Sequence, residues 1–286
     1  MAKQNIKLWF LALLVTLTSV VWQRLSGPTH PIRIREVVGQ TEVQGKLLRS
    51  HSTSSDLPII LEVTSGQLKG RLLWRRFPTR DNWTSIPMIP TNGDLHATIP
   101  AQPSAGKVEY KIALSLDGEE GPGLGMSNGQ GEREGEALLP AGEAVIARFK
   151  NDVPLTVLIL HILVMFLAML LSSRTGLEAI CHGSALHRQA WATLLLLVTG
   201  GLVLGPIVQK YAFGAYWTGW PFGEDLTDNK VAIAAVSWLF AVLLSRGNKG
   251  RGAVLAAAVI TLVIFAIPHS MHGSTLDYET MQKMSG

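Results

Sequence analysis

The chain has 286 residues, a formal net charge of +4 and a composition that is 47% hydrophobic but only 16% charged. Its mean hydropathy of +0.25 is too high for an ordinary soluble protein, and the apolar residues are concentrated in runs, which indicates a membrane protein with a soluble part. The basic residues lie mostly beside those runs, where membrane topology explains them, and basic tracts interleaved with aromatic residues are absent. We therefore expect no nucleic-acid partner.

Residues 1–27 carry Lys3 and Lys7 and continue with an apolar run from Leu8 to Trp22. This order is typical of a signal peptide or of an uncleaved membrane anchor. We expect an anchor, because Gln23 and Arg24 follow the run where a small-x-small cleavage signal would stand. The sequence leaves cleavage open, and either interpretation sends the next segment across the membrane.

Residues 28–152 predict β structure. Apolar and polar residues alternate in several segments separated by Gly, Pro, Asn and Ser. The clear segments are Leu57–Val63, Leu68–Trp74, Asp94–Ile99, Val108–Leu116 and Ala144–Phe149, and the weaker ones are Glu36–Leu48 and Thr84–Ile89. About seven strands are the number expected for a small β-sandwich.

The segment from Ile99 to Ile112 has the sequence Ile-Pro-Ala-Gln-Pro-Ser-Ala-Gly-Lys-Val-Glu-Tyr-Lys-Ile. It resembles the later strands of immunoglobulin-like or fibronectin-III-like domains. The resemblance covers about a hundred residues of the β region. It implies a fold and brings no catalytic residues with it.

Residues 153–273 predict a bundle of four membrane spans, each close to the length of a bilayer crossing. The apolar runs are Leu155–Leu171, Ala190–Val208, Val231–Leu244 and Ala253–Ile267. The turns between the first two and the last two spans are basic, with Arg174, Arg188, Arg246, Lys249 and Arg251. The positive-inside rule makes those turns and the N-terminus cytoplasmic. The loop of residues 209–230 and the tail of residues 274–286 then face outward with the β region.

The predicted fold class is a mixed β + α membrane protein. It has an N-terminal transmembrane anchor, an extracytoplasmic immunoglobulin- or fibronectin-III-like β-sandwich and a C-terminal four-helix transmembrane bundle. The predicted location is the inner membrane of a bacterium, with the β-domain and the C-terminus on the periplasmic side.

The loop of residues 209–230 is the best candidate for a functional surface, because it is long, aromatic and charged. Trp217 and Trp220 are candidates for cofactor contacts, and the polar candidates are Glu224, Asp225, Asp228 and Lys230. The alternatives are an interfacial aromatic belt and an Asp228 that caps the following helix. Because Lys230 opposes the dipole at a helix start, we expect it to have a carboxylate partner.

His161 is the most informative single residue, because an ionisable side chain inside a span is costly and marks a functional-site hypothesis. Met165 and Met169 follow at i+4 and i+8 on the same helical face, and a stripe of one histidine and two methionines suits soft copper. His269 and His272 near the last span are candidates for a metal, or one of them for axial ligation of a haem b opposite His161. A quinone pocket is the third candidate. The alternative is a neutral imidazole hydrogen-bonded to a neighbouring helix, with methionines that only pack.

Two functional hypotheses follow. In the first, the protein is a cofactor- or quinone-binding electron-transfer subunit of a membrane complex. In the second, it is a non-catalytic accessory or scaffold subunit whose β-sandwich recruits an extracytoplasmic partner. The expected partners are the lipid bilayer and other membrane or periplasmic subunits.

Overall fold

The structure is a computed structural model that describes residues 2–64, 68–116, 136–246, 250–268, 273, 275–281 and 283–284. The chain divides into two units. The helical unit contains Met1–Pro28, Val153–Ser274 and Ser285–Gly286, and the β-unit contains Thr29–Asp152 and Thr275–Met284. Each unit is described by itself.

The helical unit is built from long apolar helices. Their bounds are α1 (Ala2–Ser26), α2 (Leu155–Ile180), α3 (Leu186–Leu197), α4 (Gly205–Phe213), α5 (Leu226–Leu244) and α6 (Arg251–Ala266). A π-helical segment, Val198–Leu204, joins α3 to α4 in one helical stretch. Within the described residues, four helices are long and apolar enough to cross a membrane: α1, α2, the α3–α4 stretch and α5. The prediction of a membrane protein is thereby confirmed, and α6 is a shorter apolar helix.

The helices of this unit bury small residues and expose large ones. The buried positions include Ala168, Ala190, Ala234, Ala241 and Ala257. Leu and Ile side chains such as Leu163 and Ile233 are more than half exposed. This is the pattern of helices in lipid, because small residues let backbones approach while large apolar residues meet acyl chains.

Polar contacts near both ends of α1 attach it to the other helices. Near its start, the Asn5 side-chain oxygen accepts a hydrogen bond of 2.8 Å from Arg174 of α2. Near its end, Trp22 Nε1 donates to the Ala266 carbonyl of α6 at 3.1 Å, and Gln23 donates to the preceding carbonyl at 3.0 Å. The N-terminal helix therefore packs as a member of the bundle.

The β-unit contains two larger sheets and a small hairpin. The strands are β1 (Ile32–Val38), β2 (Thr41–Leu47), β3 (Ser50–Ser52), β4 (Leu57–Val63), β5 (Leu68–Phe77), β6 (Thr84–Pro87), β7 (Ile89–Thr91), β8 (Asp94–Ile99), β9 (Lys107–Leu116), β10 (Ala137–Leu139), β11 (Val145–Lys150), β12 (Thr275–Leu276) and β13 (Lys283–Met284). The five-stranded sheet has the order β1-β2-β4-β8-β7. The six-stranded sheet has the order β3-β11-β9-β5-β6, with β10 also paired to β9.

The two larger sheets share one hydrophobic core. Leu61 and Ile99 enter it from the five-stranded sheet, and Tyr110, Ile112 and Phe149 enter it from the six-stranded sheet. Alternation along each strand produces this arrangement, because successive side chains point to opposite faces. The phenol of Tyr110 is satisfied inside the core, since it donates to the Leu48 carbonyl at 2.8 Å. Burial raises the pKa of this phenol far above its ordinary value.

The C-terminal tail is part of the β-unit. Leu276 N donates to the Ala105 carbonyl at 3.0 Å. Lys107 Nζ donates to Thr275 Oγ1 at 2.6 Å, and Tyr278 OH donates to the Lys107 carbonyl at 2.9 Å. These bonds attach the tail to the start of β9, so residues far apart in sequence complete one surface of the β-unit.

Burial under the tail lowers the pKa of Lys107 to about 8, with a second contribution from the nearby guanidinium of Arg148. An unfolded lysine titrates near ~10.4. Between these pH values the unfolded chain binds a proton at this lysine that the folded chain does not bind. Stability therefore rises with pH across this window. Above this window Tyr278 makes stability fall as the pH rises, because burial raises the pKa of its phenol to about 12.

We predict that wild-type protein gains thermal stability between pH 8 and ~10 relative to Lys107→Met, which lacks the titrating amine. The measurement is thermal unfolding of the full chain in detergent at a series of pH values. Lys150→Met, at an exposed position of β11, is the control and should keep the wild-type pH dependence. Identical pH profiles for wild type and Lys107→Met would contradict the assignment.

Candidate functional site

The loop between α4 and α5 begins and ends with helix caps. Gly214 ends α4 in the left-handed conformation, at φ 81°, which glycine adopts without steric cost. Asp225 is the N-cap of α5, and its Oδ1 accepts a hydrogen bond of 2.8 Å from Thr227 N. The interpretation that Asp228 caps this helix is therefore wrong, because Asp225 occupies the capping position.

Asp228 and Asn229, in the first turn of α5, hold the loop backbone. Asp228 Oδ2 accepts from Thr218 N at 2.7 Å and from Gly219 N at 3.0 Å. Asn229 Oδ1 accepts from Trp220 N at 2.7 Å. Three consecutive backbone N–H groups are thus bound by two adjacent side chains, which fixes the path of the loop.

Gly219 is required by this close approach. A Cβ at this position would lie 2.7 Å from both Asp228 Cβ and Asn229 Oδ1, shorter than real contacts allow. Asp228 itself is only 6% exposed, so its carboxylate is desolvated by the loop that it binds. Any larger residue at position 219 would displace the backbone from these two acceptors.

Lys230 is buried one turn into α5, at 4% exposure. Its Nζ donates to the Ile267 carbonyl at 2.9 Å and to the Pro268 carbonyl at 3.2 Å, at the end of α6. A cation at a helix C-terminus is favoured by the helix dipole and by the carbonyls that have no intrahelical partner. Asp225 also attracts this ammonium electrostatically. The expected carboxylate partner is thus replaced by backbone carbonyls as the hydrogen-bond acceptors of Lys230, and Asp225 contributes only an electrostatic attraction.

The aromatic residues of the loop point away from its hydrogen-bonded base. Trp220 is 79% exposed and Phe222 is 83% exposed. We call Trp220, Pro221 and Phe222 the aromatic tip. Trp217 is half-buried and donates from Nε1 to the Trp220 carbonyl at 3.1 Å, so it supports the tip from inside the loop.

The polar candidates of the loop have different environments. Asp225, Asp228 and Lys230 are buried and hydrogen-bonded within the helical unit. Glu224 is exposed. Asp225 and Asp228 are thus bonded within the helical unit, and Glu224 is at its surface.

His161 lies half-buried on α2, facing the π-helical segment. Its Nδ1 lies 2.9 Å from the Gly200 carbonyl. Because a carbonyl only accepts, Nδ1 carries the proton, and in a neutral imidazole the lone pair remains at Nε2. A backbone carbonyl bonded to one ring nitrogen in this way is the arrangement that orients histidines whose other nitrogen binds a metal.

Met165 packs beside Gly200, the residue whose carbonyl lies close to His161. A Cβ on Gly200 would lie 2.7 Å from Met165 Sδ, so the π-helical segment and α2 are in close contact here. The described residues contain no group of three His, Cys, Asp or Glu side chains placed to hold a metal ion. His269 and His272 lie outside the described residues.

Sequence reasoning missed Thr218, Gly219, Asn229 and the Gly200 carbonyl. The first three had a weak signal, since an Asp-x-x-Asp-Asn sequence at a helix start after an aromatic loop offers several acceptors to nearby backbone N–H groups. The Gly200 carbonyl had only the Gly-Gly pair inside an apolar run as a signal. Neither pattern identifies the atom that each side chain contacts.

We predict that Asp228→Ala loosens the loop, because it leaves two backbone N–H groups without their acceptor at a cost of about 2 kcal/mol or more. The measurements are thermal unfolding in detergent and the rate of chymotrypsin cleavage after Phe222. Asp228→Asn keeps an acceptor oxygen and should give an intermediate result. Glu224→Ala, at the exposed carboxylate, is the matched control. Cleavage of Asp228→Ala at the wild-type rate would show that these bonds do not hold the loop.

The chain was compared with known proteins. No protein-family model matches it, and no curated protein matches it. The functional argument therefore rests on the geometry of the two units.

Proposed function

We propose that this protein is a non-catalytic accessory subunit of a membrane complex, and that its helical unit presents the aromatic tip to a membrane-protein partner. The observation that carries the proposal is the set of three backbone N–H groups held by Asp228 and Asn229. These bonds preform a turn whose apolar rings are exposed to the surroundings.

The chemistry of the loop favours binding over catalysis. The two buried carboxylates, Asp225 and Asp228, accept hydrogen bonds from the loop or its helix cap, and Lys230 binds carbonyls at the end of α6. A catalytic acid or base needs an ionisable group directed at a substrate. Here the buried ionisable groups are directed at the protein's own backbone.

The rigidity of the loop favours a protein partner over lipid alone. Aromatic residues at a membrane interface require only the correct depth. A preformed turn lowers the ordering cost of a specific contact, and exposed tryptophan anchors are typical of the residues that dominate protein interfaces. Three side-chain-to-backbone bonds would be unnecessary for a belt that only touches headgroups.

We place the protein in a bacterial inner membrane, with the β-unit and the tail outside. The tail strands belong to the β-unit, so the chain must cross the bilayer an even number of times between β11 and β12. The helices α2, α3–α4 and α5 are candidates for three of these crossings. We assign the fourth to α6, an apolar helix that is shorter. Exposed Arg188 and Arg246 then face the cytoplasm, as the positive-inside rule requires.

We also propose that the β-unit is an immunoglobulin- or fibronectin-III-like sandwich. The common core of the two sheets supports this proposal. So does the strand order, because β2-β4-β8-β7 corresponds to A-B-E-D and β11-β9-β5 corresponds to G-F-C in such domains. Domains of this class commonly act as recognition modules, which suits an accessory subunit.

The test is the size of the assembly in native membranes solubilised in mild detergent and separated by native electrophoresis. We expect the wild-type chain to migrate in an assembly much larger than its 31.0 kDa. The double variant Trp220→Ser/Phe222→Ser should be released from it, since interface aromatics of this kind contribute about 2 kcal/mol each.

Tyr211→Ser is the control, because Tyr211 is an exposed aromatic residue on α4 that is not part of the aromatic tip. It should leave the assembly intact. A wild-type chain that migrates alone, or a double variant that stays in the assembly, would contradict the accessory role.

The second candidate function is electron transfer, and the bond between His161 and the Gly200 carbonyl favours it. The bond leaves the Nε2 lone pair as an acceptor for a quinone proton or as a ligand for haem iron or copper. His269 and His272 remain the candidate second ligands.

The electron-transfer candidate predicts a visible spectrum or a bound metal in the detergent-purified protein. A reduced-minus-oxidised haem band, or copper by metal analysis, should be lost in His161→Phe. It should be kept in His187→Phe, whose ring contacts Ser245 instead. A colourless, metal-free protein would exclude the haem and copper versions, and extraction of a quinone from the same sample would test the remaining one.

A further inference from the structure

The six-stranded sheet carries a groove of about 480 Å³ on the face opposite the core. Residues of β5 and β9 that alternate with core residues point into it. The lining residues include Arg75, Phe77, Trp83, Glu109, Lys111 and Glu143. This volume lies within the range of small-ligand sites, roughly 300–1,000 Å³.

The centre of the groove is a fixed stack of three side chains. Arg75 and Glu109 are directly opposite each other on β5 and β9. Arg75 Nε lies 2.5 Å from Glu109 Oε1, and the Arg75 guanidinium lies 4.7 Å from the centre of the Trp83 ring. The arginine is thus held by a carboxylate on one side and an indole on the other, which orders the surface before a ligand arrives.

The charges of the lining residues balance. The groove has two cationic side chains, Arg75 and Lys111, and two carboxylates, Glu109 and Glu143. A free anion would meet the two carboxylates, and a free cation would meet the two basic groups. Arg75 already occupies the cation–π position on Trp83. The groove therefore suits a ligand without net charge.

The same residues offer both hydrogen-bond donors and acceptors beside apolar surface. The carboxylates accept hydrogen bonds from hydroxyl groups, and the lysine and arginine donate hydrogen bonds to hydroxyl oxygens. Phe77, Trp83 and Ile146 contribute apolar surface for the C–H face of a ring. A neutral molecule with many hydroxyl groups on one edge and C–H groups on its faces satisfies both requirements.

We propose that this groove binds a neutral saccharide chain. Phe77, Trp83 and Ile146 contact the sugar faces, while Glu109, Lys111 and Glu143 bind the hydroxyl groups. The site lies wholly within the β-unit, so the proposal is independent of the aromatic tip and of any partner that the tip binds. An extracytoplasmic β-unit would meet such chains in cell-envelope or environmental glycans.

The test uses the full chain in lauryldimethylamine oxide, because maltoside detergents would compete with the ligand. The probes are soluble neutral oligosaccharides with glucose, N-acetylglucosamine or mannose units, and a matched acidic oligosaccharide containing uronic acids. Binding is measured by calorimetry and by the change in tryptophan fluorescence. We expect binding of at least one neutral probe, and binding weaker by about tenfold in Trp83→Ala.

Glu143→Gln is the second variant, because Glu143 is exposed and replacing its carboxylate with an amide of the same size preserves the fold. The variant should bind the neutral probe more weakly while its unfolding temperature stays unchanged. Ile89→Ala, on the five-stranded sheet, is the matched control with an exposed apolar residue. The proposal would be overturned by absence of binding to every neutral probe, by equal or tighter binding of the acidic probe, or by unchanged affinity in both groove variants.

Discussion

The hydrogen bonds from Asp228 and Asn229 to three consecutive N–H groups determine what the loop between α4 and α5 can do. They direct the buried polar atoms inward and the aromatic rings outward. The buried charged side chains, such as Asp228 and Lys230, therefore bind backbone groups. The rings of Trp220 and Phe222 face the surroundings. The arrangement requires Gly219, because a side chain there would separate the loop from its acceptors.

A second irregularity lies inside the bundle. The π-helical segment between α3 and α4 directs the Gly200 carbonyl at His161, and Gly201 makes room for Val231 of α5. In the π-helical pattern this carbonyl accepts from Gly205 N–H and also lies 2.9 Å from His161 Nδ1. The imidazole N–H thus has an acceptor at a depth where an unpaired polar group would be costly. Side chains thus bind backbone groups in the loop, through Asp228 and Asn229, and in the membrane-spanning region, through His161.

The elements themselves could be predicted from periodicity, and their contacts could not. The predicted strands Leu57–Val63 and Asp94–Ile99 coincide with β4 and β8, since alternation with buried residues defines both ends. The span predicted from Val231 instead begins at Leu226 in α5, because its first turn is polar and carries no apolar signal. Which carbonyl a buried lysine or histidine reaches depends on tertiary packing. The position of the tail on β9 likewise depends on contacts between residues about 170 positions apart.

The tail has a consequence for the order in which the protein is completed. The β-unit consists of residues 29–152, which precede helices α2 to α6 in the chain, and of residues 275–284, which follow them. The bonds of Thr275, Leu276 and Tyr278 near the start of β9 form only after α6 has been synthesised. This surface of the β-unit is therefore completed only after helices α2 to α6 have been synthesised. A chain that stalls before residue 275 leaves Lys107 uncovered.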